Sequence, residues 1–229
     1  MRILSIDTSS NICAVAVLED AKLLKEYNQN NGLTHSVNLM PMIQNLLKYL
    51  SITLQDIDLI VCDKGPGSFT GIRIGVATAM GFKDSLSIPA IGISSLEALA
   101  FNINEPGVIC TIIDAKKDNV YSGVFENTGE QYILRRNLSA ENIDDLLEEL
   151  KITDYPITFV GDGAKVYKDK ILDKLSNSKF IENNDISAYN LGLAGLAHFK
   201  EGKQDDLIPL YLRKPQAERM LEEKQNGNH

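Results

Sequence analysis

Ile3-Leu4-Ser5-Ile6-Asp7-Thr8-Ser9-Ser10-Asn11 opens the chain with a short apolar run, a carboxylate and a polar turn. The run Ile3 to Ile6 has the composition of a buried strand, and the polar residues after Asp7 supply its turn. Cys13 to Leu18 follows, apolar throughout. After the Glu19-Asp20 turn, Lys22 to Asn28 makes a third short strand, so the opening predicts an antiparallel meander. Leu39, Ile43, Leu46 and Leu50 then share one helical face, with Thr34 as candidate N-cap and Pro41 marking a kink or a late start. Leu59 to Cys62 is the fourth strand. A second helix is expected from about Ser68 to Leu86, and Pro89 to Ile93 is the fifth strand.

The same order recurs in the second half. Ile113-Asp114 repeats Ile6-Asp7 at the end of an apolar strand, Val120 to Phe125 repeats Cys13 to Leu18, and Gln131 to Arg135 supplies the third strand. A helix from about Ala140 to Leu150, the strand Ile157 to Val160 and a helix from about Ala164 to Leu175 complete the copy. This reading makes an α/β protein of two lobes, each β-β-β-α-β-α. The boundary falls near Asn102 to Gly107, where Pro106 breaks the pattern, so the expected lobes are residues 1–104 and 105–216 with a polar tail over 217–229.

Composition narrows the class. The 229 residues are 44% hydrophobic and 24% charged, which fits a folded globular protein rather than a disordered or disulfide-scaffold chain. Seven basic against ten acidic residues before Pro106 leave that half at -3, the remainder carries -5, and neither half is a basic nucleic-acid module. Cys13, Cys62 and Cys110 lie singly in apolar strings, as free buried thiols in a reducing compartment do. Asp7 interrupts the first apolar run at once and no run reaches spanning length, so a cytoplasmic protein without a membrane role is expected.

The loudest local signal is Gly65-Pro66-Gly67-Ser68-Phe69-Thr70-Gly71-Ile72-Arg73-Ile74-Gly75, between an apolar strand and a helix. Such a junction can hold a phosphate on glycine backbone and helix amides. Its spacing fits neither a Walker loop, which needs a Lys after its second Gly, nor the dinucleotide fingerprint, whose third Gly falls one residue before Gly71. A tight turn with Ser68 capping the helix requires no ligand. Gly71, Gly75 and Ala79 line one helix face at spacing four, a groove for close packing against the protein's own sheet or against a partner. Asp7 and Asp114 end equivalent strands, which would aim both carboxylates into a cleft between the lobes. The loops after them lack glycine, which disfavours close approach to a phosphate. Gly161-Asp162-Gly163-Ala164 could touch a nucleotide or merely turn into the next helix. Histidine is scarce, and His35 has Leu39 at i+4, so the two-ligand helical spacing for a metal is missing. No nucleophile elbow is present.

Taken together, Ile6-Asp7-Thr8-Ser9, His35-Ser36, the run Gly65 to Gly75, Ile113-Asp114-Ala115, Gly161 to Ala164 and Pro209-Leu210-Tyr211-Leu212-Arg213 resemble the bacterial TsaB family, formerly YeaZ, of the glycoprotease-like superfamily. The resemblance covers nearly the whole chain and implies an actin-like ATPase (ASKHA) fold of two ribonuclease-H-like lobes. It implies a noncatalytic subunit required to make threonylcarbamoyladenosine beside the anticodon of tRNAs reading codons that begin with A. It also implies pairing with a catalytic TsaD-type transferase, contact with a TsaE-type ATPase through that pair, a homodimer when alone, and tRNA met only indirectly. It implies no catalytic residue, metal or cofactor in this chain. The partner interface would use His35, Leu39, Ile43, Leu46, Gly71, Gly75 and Ala79, and Asp7, Thr8, Ser9, Asp114, Gly161 and Gly163 would line a vestigial nucleotide cleft. Two other classes compete: an active actin-fold enzyme, either a small-molecule kinase or a glycoprotease-like peptidase, and a self-associating module with no tRNA connection.

Overall fold

The computed structural model describes residues 1–30, 34–152, 155–203 and 206–213. Strands β1 (Arg2–Asp7), β2 (Cys13–Glu19) and β3 (Lys22–Gln29) form the antiparallel meander, with Asp7 opposite Ala14. Helix α1 (His35–Leu50) carries the chain back so that β4 (Leu59–Asp63) runs parallel beside β1, and α2 (Phe69–Leu86) does the same for β5 (Ala90–Ile93). The sheet order is β3-β2-β1-β4-β5. Strands covered on both faces are apolar throughout rather than alternating, which is why β1, β2 and β4 read as unbroken runs. Helix α1 is continuous through Pro41, which is neither its start nor its end.

The second half is built alike. Helix α3 (Ser95–Ala100) leads into β6 (Gly107–Asp114), β7 (Asn119–Asn127), β8 (Tyr132–Asn142), α4 (Ile143–Leu150) and β9 (Ile157–Val160). Then come α5 (Asp162–Val166), α6 (Lys168–Lys174), the two-residue β10 (Lys179–Phe180) and α7 (Ala188–Lys200). Its sheet order, β8-β7-β6-β9-β10, matches the first strand for strand, so the duplication read from the sequence holds. Two boundaries move. Residues 140–142 finish β8 instead of opening a helix, because Asn142 accepts the Asp144 amide and caps α4 there. The expected helix over 164–175 is split in two at Tyr167.

Helices α3 and α7, both absent from the sequence reading, join the lobes by exchange. Helix α3 ends the first half but packs on β6 and β7, whereas α7 ends the second half and packs on β1, β2, β4 and β5. The two helices touch, and one apolar cluster, including Ile3, Val61, Leu99, Ile109, Phe125 and Leu191, runs from sheet to sheet through them. The boundary near residue 104 therefore separates the sheets but not the layers, since α7 completes the first lobe. Its fit depends on small residues: a Cβ at Gly192 would lie 2.7 Å from Leu18 Cδ1, one at Gly195 would strike the Val61 methyls, and Ser5 Oγ donates to the Ala188 carbonyl at 2.5 Å. The expected tail, 217–229, lies outside the described residues.

A matched pair of substitutions tests this packing. Gly81 in α2 has open space where its Cβ would be. Gly81→Ala should raise stability by roughly 0.5–1 kcal/mol through helix propensity. Gly195→Ala brings the same propensity gain against an overpacking cost of roughly 1–3 kcal/mol, so its melting temperature should fall by a few degrees. Equal upward shifts in calorimetry would show that α7 does not seat on Val61.

Candidate functional site

The ends of β1 and β4 put two carboxylates side by side in the core. Asp7 and Asp63 are both fully buried. Asp7 Oδ1 accepts the Ser9 amide at 2.7 Å; Asp63 Oδ1 accepts the Gly65 amide and the Ser95 hydroxyl, each at 2.6 Å, and its Oδ2 accepts the Ser9 hydroxyl at 3.1 Å. Burial pushes the Asp7 carboxyl up to about 6, opposed by hydrogen bonds from Ser9 and Asp63. Burial and then the charge of Asp7 push Asp63 well above the usual carboxylate range. Burial thus biases both carboxyls toward their protonated forms. No N–H or O–H of another described residue reaches Oδ2 of Asp7. Asp63 was missed in the sequence, although it closes its apolar strand as Asp7 closes β1.

The glycine run is seated directly on the loop after Asp7. A Cβ on Gly67 would collide with the Ser9 carbonyl and one on Gly71 with the Thr8 carbonyl, and one on Gly75 would lie 2.5 Å from Thr8 Oγ1. Thr8 Oγ1 donates to the Gly71 carbonyl at 2.7 Å, the Ser68 amide donates to the Ser9 carbonyl, and Ser68 Oγ caps α2 by accepting the Gly71 amide. The small-residue groove thus meets the protein's own first strand and loop. Gly71, Gly75 and Ala79 are buried there, and Leu39, Ile43 and Leu46 are buried in the core beneath α1. None of these six faces outward, which corrects their assignment to a partner interface. His35 is half-buried, with Nε2 2.7 Å from the Ser10 carbonyl, so it ties α1 to the same loop.

The second lobe closes its corresponding loop differently. Asp114 accepts the Lys116 amide at 2.9 Å, the Lys116 ammonium at 2.6 Å and the Tyr167 hydroxyl at 3.2 Å. Burial works to raise its carboxyl, but Lys116 outweighs it and holds the group below its usual range. Lys116, Lys117 and Asp118 all adopt left-handed backbone, unusual for non-glycine residues, and the Asn119 carboxamide holds the turn by donating to the Lys116 and Lys117 carbonyls. Gly161 and Gly163 lie against the Ile112 backbone, so they serve close packing and the turn into α5.

Between the lobes is a cleft of about 610 Å³. Ser9, Pro66 to Phe69, Asp114 to Lys116, Asp162 and Asn184 are among its lining residues. Asp7 and Thr8 are not among them. A nucleotide held as the fold allows would need its phosphates on the amides of the two loops. The central amides, of Ser9 and Lys116, are already bound to the strand-end carboxylates, and α2 occupies the back of the first loop, so the residues present do not fit such a group. Among the described residues no three His, Cys, Asp or Glu side chains converge in a metal-binding group. The segment 206–213 straps the glycine turn: the Leu210 amide donates to the Lys64 carbonyl, Tyr211 stacks on Phe69 at 4.6 Å, and Arg213 reaches the Ala115 carbonyl of the second lobe.

Two duplicated lobes, strand-end carboxylates and an inter-lobe cleft define the class: a two-lobed α/β protein of the actin-like ASKHA fold. The solved structures agree. The chain superposes on YeaZ from Pseudomonas aeruginosa with a TM-score of 0.78 at 24% identity, covering 92% of this chain and 99% of that one. It superposes on the ROK hexokinase of Thermus thermophilus with a TM-score of 0.55 at 10% identity, covering 88% and 100%. The family model for TsaD, tRNA N6-adenosine threonylcarbamoyltransferase, matches residues 26–220. The tRNA threonylcarbamoyladenosine biosynthesis protein TsaB of Bacillus subtilis is 36% identical over 95% of this chain and 96% of its own length. The chain belongs to the TsaD family as that model defines it, and within it to the TsaB (YeaZ) proteins. Among the described residues no helix is long and apolar enough to cross a membrane, and the three cysteines are free and buried.

The buried acid pair fixes a pH dependence. Both folded-state values lie above the ordinary 3.8, so their stabilisation is complete below about pH 4 and is lost as pH rises, first through about 6 for Asp7 and then higher for Asp63. The Asp7 shift alone corresponds to on the order of 3 kcal/mol. Asp63→Asn should remove the contribution of Asp63 over its whole range, so that the decline between pH 4 and 6 becomes shallower and ends near pH 6, where Asp7 completes its titration. Urea melts of both proteins at pH 4.5, 6 and 8 measure this; parallel curves would show that Asp63 is not held above its ordinary range.

Proposed function

We propose that this chain is a cytoplasmic, noncatalytic subunit in the formation of threonylcarbamoyladenosine beside the anticodon of tRNAs reading codons that begin with A, acting by pairing with a TsaD-type transferase. The observation that carries the noncatalytic reading is that both strand-end carboxylates are consumed inside the chain. Asp7 is fully buried with its Oδ1 on the Ser9 amide, and Asp114 is held by Lys116. Neither is free to organise a reacting group. The names of the relatives support the pathway, and the match to the TsaD model supports a partner of like architecture. Contact with a TsaE-type ATPase through the pair, self-pairing when alone, and indirect contact with tRNA follow from the same family reading.

With the inner faces of α1 and α2 committed to the core, pairing falls to their outer faces. Val37 is 57% exposed, Met40 38% and Met80 46%, beside exposed Pro41, Ala77 and Gly81. These residues recur at helical spacing on two adjacent helices, a suitable apolar surface for another helix pair.

Val37→Glu and Met80→Glu should each weaken association with the TsaD-type subunit of the same source by tenfold or more, about 1.4 kcal/mol, with melting temperatures unchanged. Sedimentation of the mixed proteins and calorimetry of each variant decide the matter. Unaltered association would refute the interface. ATP turnover by the isolated chain that is lost in Asp114→Asn would replace the scaffold by an active actin-fold enzyme.

A further inference from the structure

We propose that the open edge of β3, with the groove beside it, is a docking site for an acidic, extended peptide segment of a partner protein. Strand β3 is the last strand of its sheet, eight residues long, with β2 on one side. Among the described residues, no backbone group pairs with its outer row of N–H and C=O groups. Such a row is a template for one more strand.

The other edges differ. Gly92 of β5 lies under the Asp206 carbonyl, and Leu207 is buried beside it, so the segment 206–210 covers that edge. Strand β10 has two residues. Strand β8 is long, but its arginines are matched: Arg135 pairs with Glu126, and Arg136 pairs with Glu141 and Glu149.

Beside β3 runs a groove of about 640 Å³, lined by Tyr27, Asn28 and Gln29 from the strand and by Met42, Asn45, Lys48 and Tyr49 from α1. The Lys25 ammonium stands over it, 5.4 Å from the Tyr27 ring centre and 5.2 Å from that of Tyr49. Neither Lys25 nor Lys48 has a carboxylate within 4 Å among the described residues. In a chain of net charge -8, two ammonium groups without a carboxylate partner among the described residues, beside a strand edge unpaired among them, are a selective feature. A strand added to β3 would present every second side chain to the groove. Carboxylates there would meet Lys25 and Lys48, with the carboxamides of Gln29 and Asn45 as further partners.

The same observations disfavour other occupants. A second copy pairing edge to edge would bring Lys22 and Lys25 of its own β3, with Glu26 as that strand's single carboxylate, to the same edge. A single-stranded nucleic acid could satisfy the ammonium groups, but its backbone lacks the alternating donors and acceptors that a strand edge requires, and each tyrosine ring already carries Lys25 on one face.

The probe is a fluorescein-labelled octapeptide of alternating Glu and Val, compared with its Lys and Val counterpart and with an octauridylate, on the full chain. The acidic peptide should bind saturably, slow hydrogen exchange at amides in 22–29, and lose at least tenfold in affinity on Lys25→Gln/Lys48→Gln, which removes both ammonium groups and with them the contact of Lys25 with the tyrosine rings. Calorimetry confirms that the variant is folded. No binding of the acidic peptide at millimolar concentration, equal binding of the basic one, or protection elsewhere in the chain would overturn the proposal. Saturable binding of octauridylate alone would assign the groove to nucleic acid. Self-association abolished by the double variant would assign it to a second copy.

Discussion

Two carbonyl oxygens, those of Thr8 and Ser9, occupy the space in which the side chains of residues 71 and 67 would otherwise lie. Backbone can rest on backbone in this way only where both positions, one in the turn before α2 and one in its first turn, are glycine. The contact brings the first turn of α2 onto the loop after β1, places Ser68 to cap the helix and bind that loop, and leaves Gly75 against Thr8 and Cys62. Much of the first lobe's geometry follows. With α2 lowered, α1 lies beside it, His35 reaches the Ser10 carbonyl, and the apolar stripes of both helices are spent on the sheet.

That economy explains why an architecture shared with kinases coexists with loops unsuited to phosphate. In the first lobe the loop is backed by a helix; in the second, a lysine two residues after Asp114 folds back onto it. The cleft survives because the lobes are tied elsewhere. Helices α3 and α7 are exchanged between the sheets, and the strap at 206–213 bridges the glycine turn and the loop after Asp114. Lobes held by swapped helices do not depend on a ligand to stay together.

Much of this was legible in the residues. The apolar runs ending in Asp7 and Asp114 revealed the duplication, and Ser68 revealed the start of α2. What stayed hidden was mostly short or glycine-rich. Helix α7 carries Gly192 and Gly195, which lower helix propensity while permitting its contact with Leu18 and Val61, so tertiary packing overrode the local signal. Helix α3 has six residues, yet Ser94 followed three positions later by Glu97 is a capping pattern that would have found it. The small residues at spacing four announced a close approach truthfully. Spacing alone could not name the neighbour, and the neighbour is the chain's own loop. Asp63 escaped because a lone carboxylate after an apolar strand looks like the first residue of a turn; its burial is visible only once Ser9 and Ser95 converge on it.

The convergence on Asp7 and Asp63 also accounts for carboxyls where carboxamides would avoid the cost of burying charge. The Ser9 amide, the Gly65 amide and the hydroxyls of Ser9 and Ser95 are four donors directed at this pair. An Asn in either place would introduce two more N–H groups into a pocket already rich in donors, and a buried donor without an acceptor costs about 1–3 kcal/mol. A carboxyl offers two oxygens and at most one O–H, which suits the pocket better. Acids at both strand ends therefore have a structural use, because the same hydrogen bonds that satisfy their oxygens fix the loop on which α2 is seated.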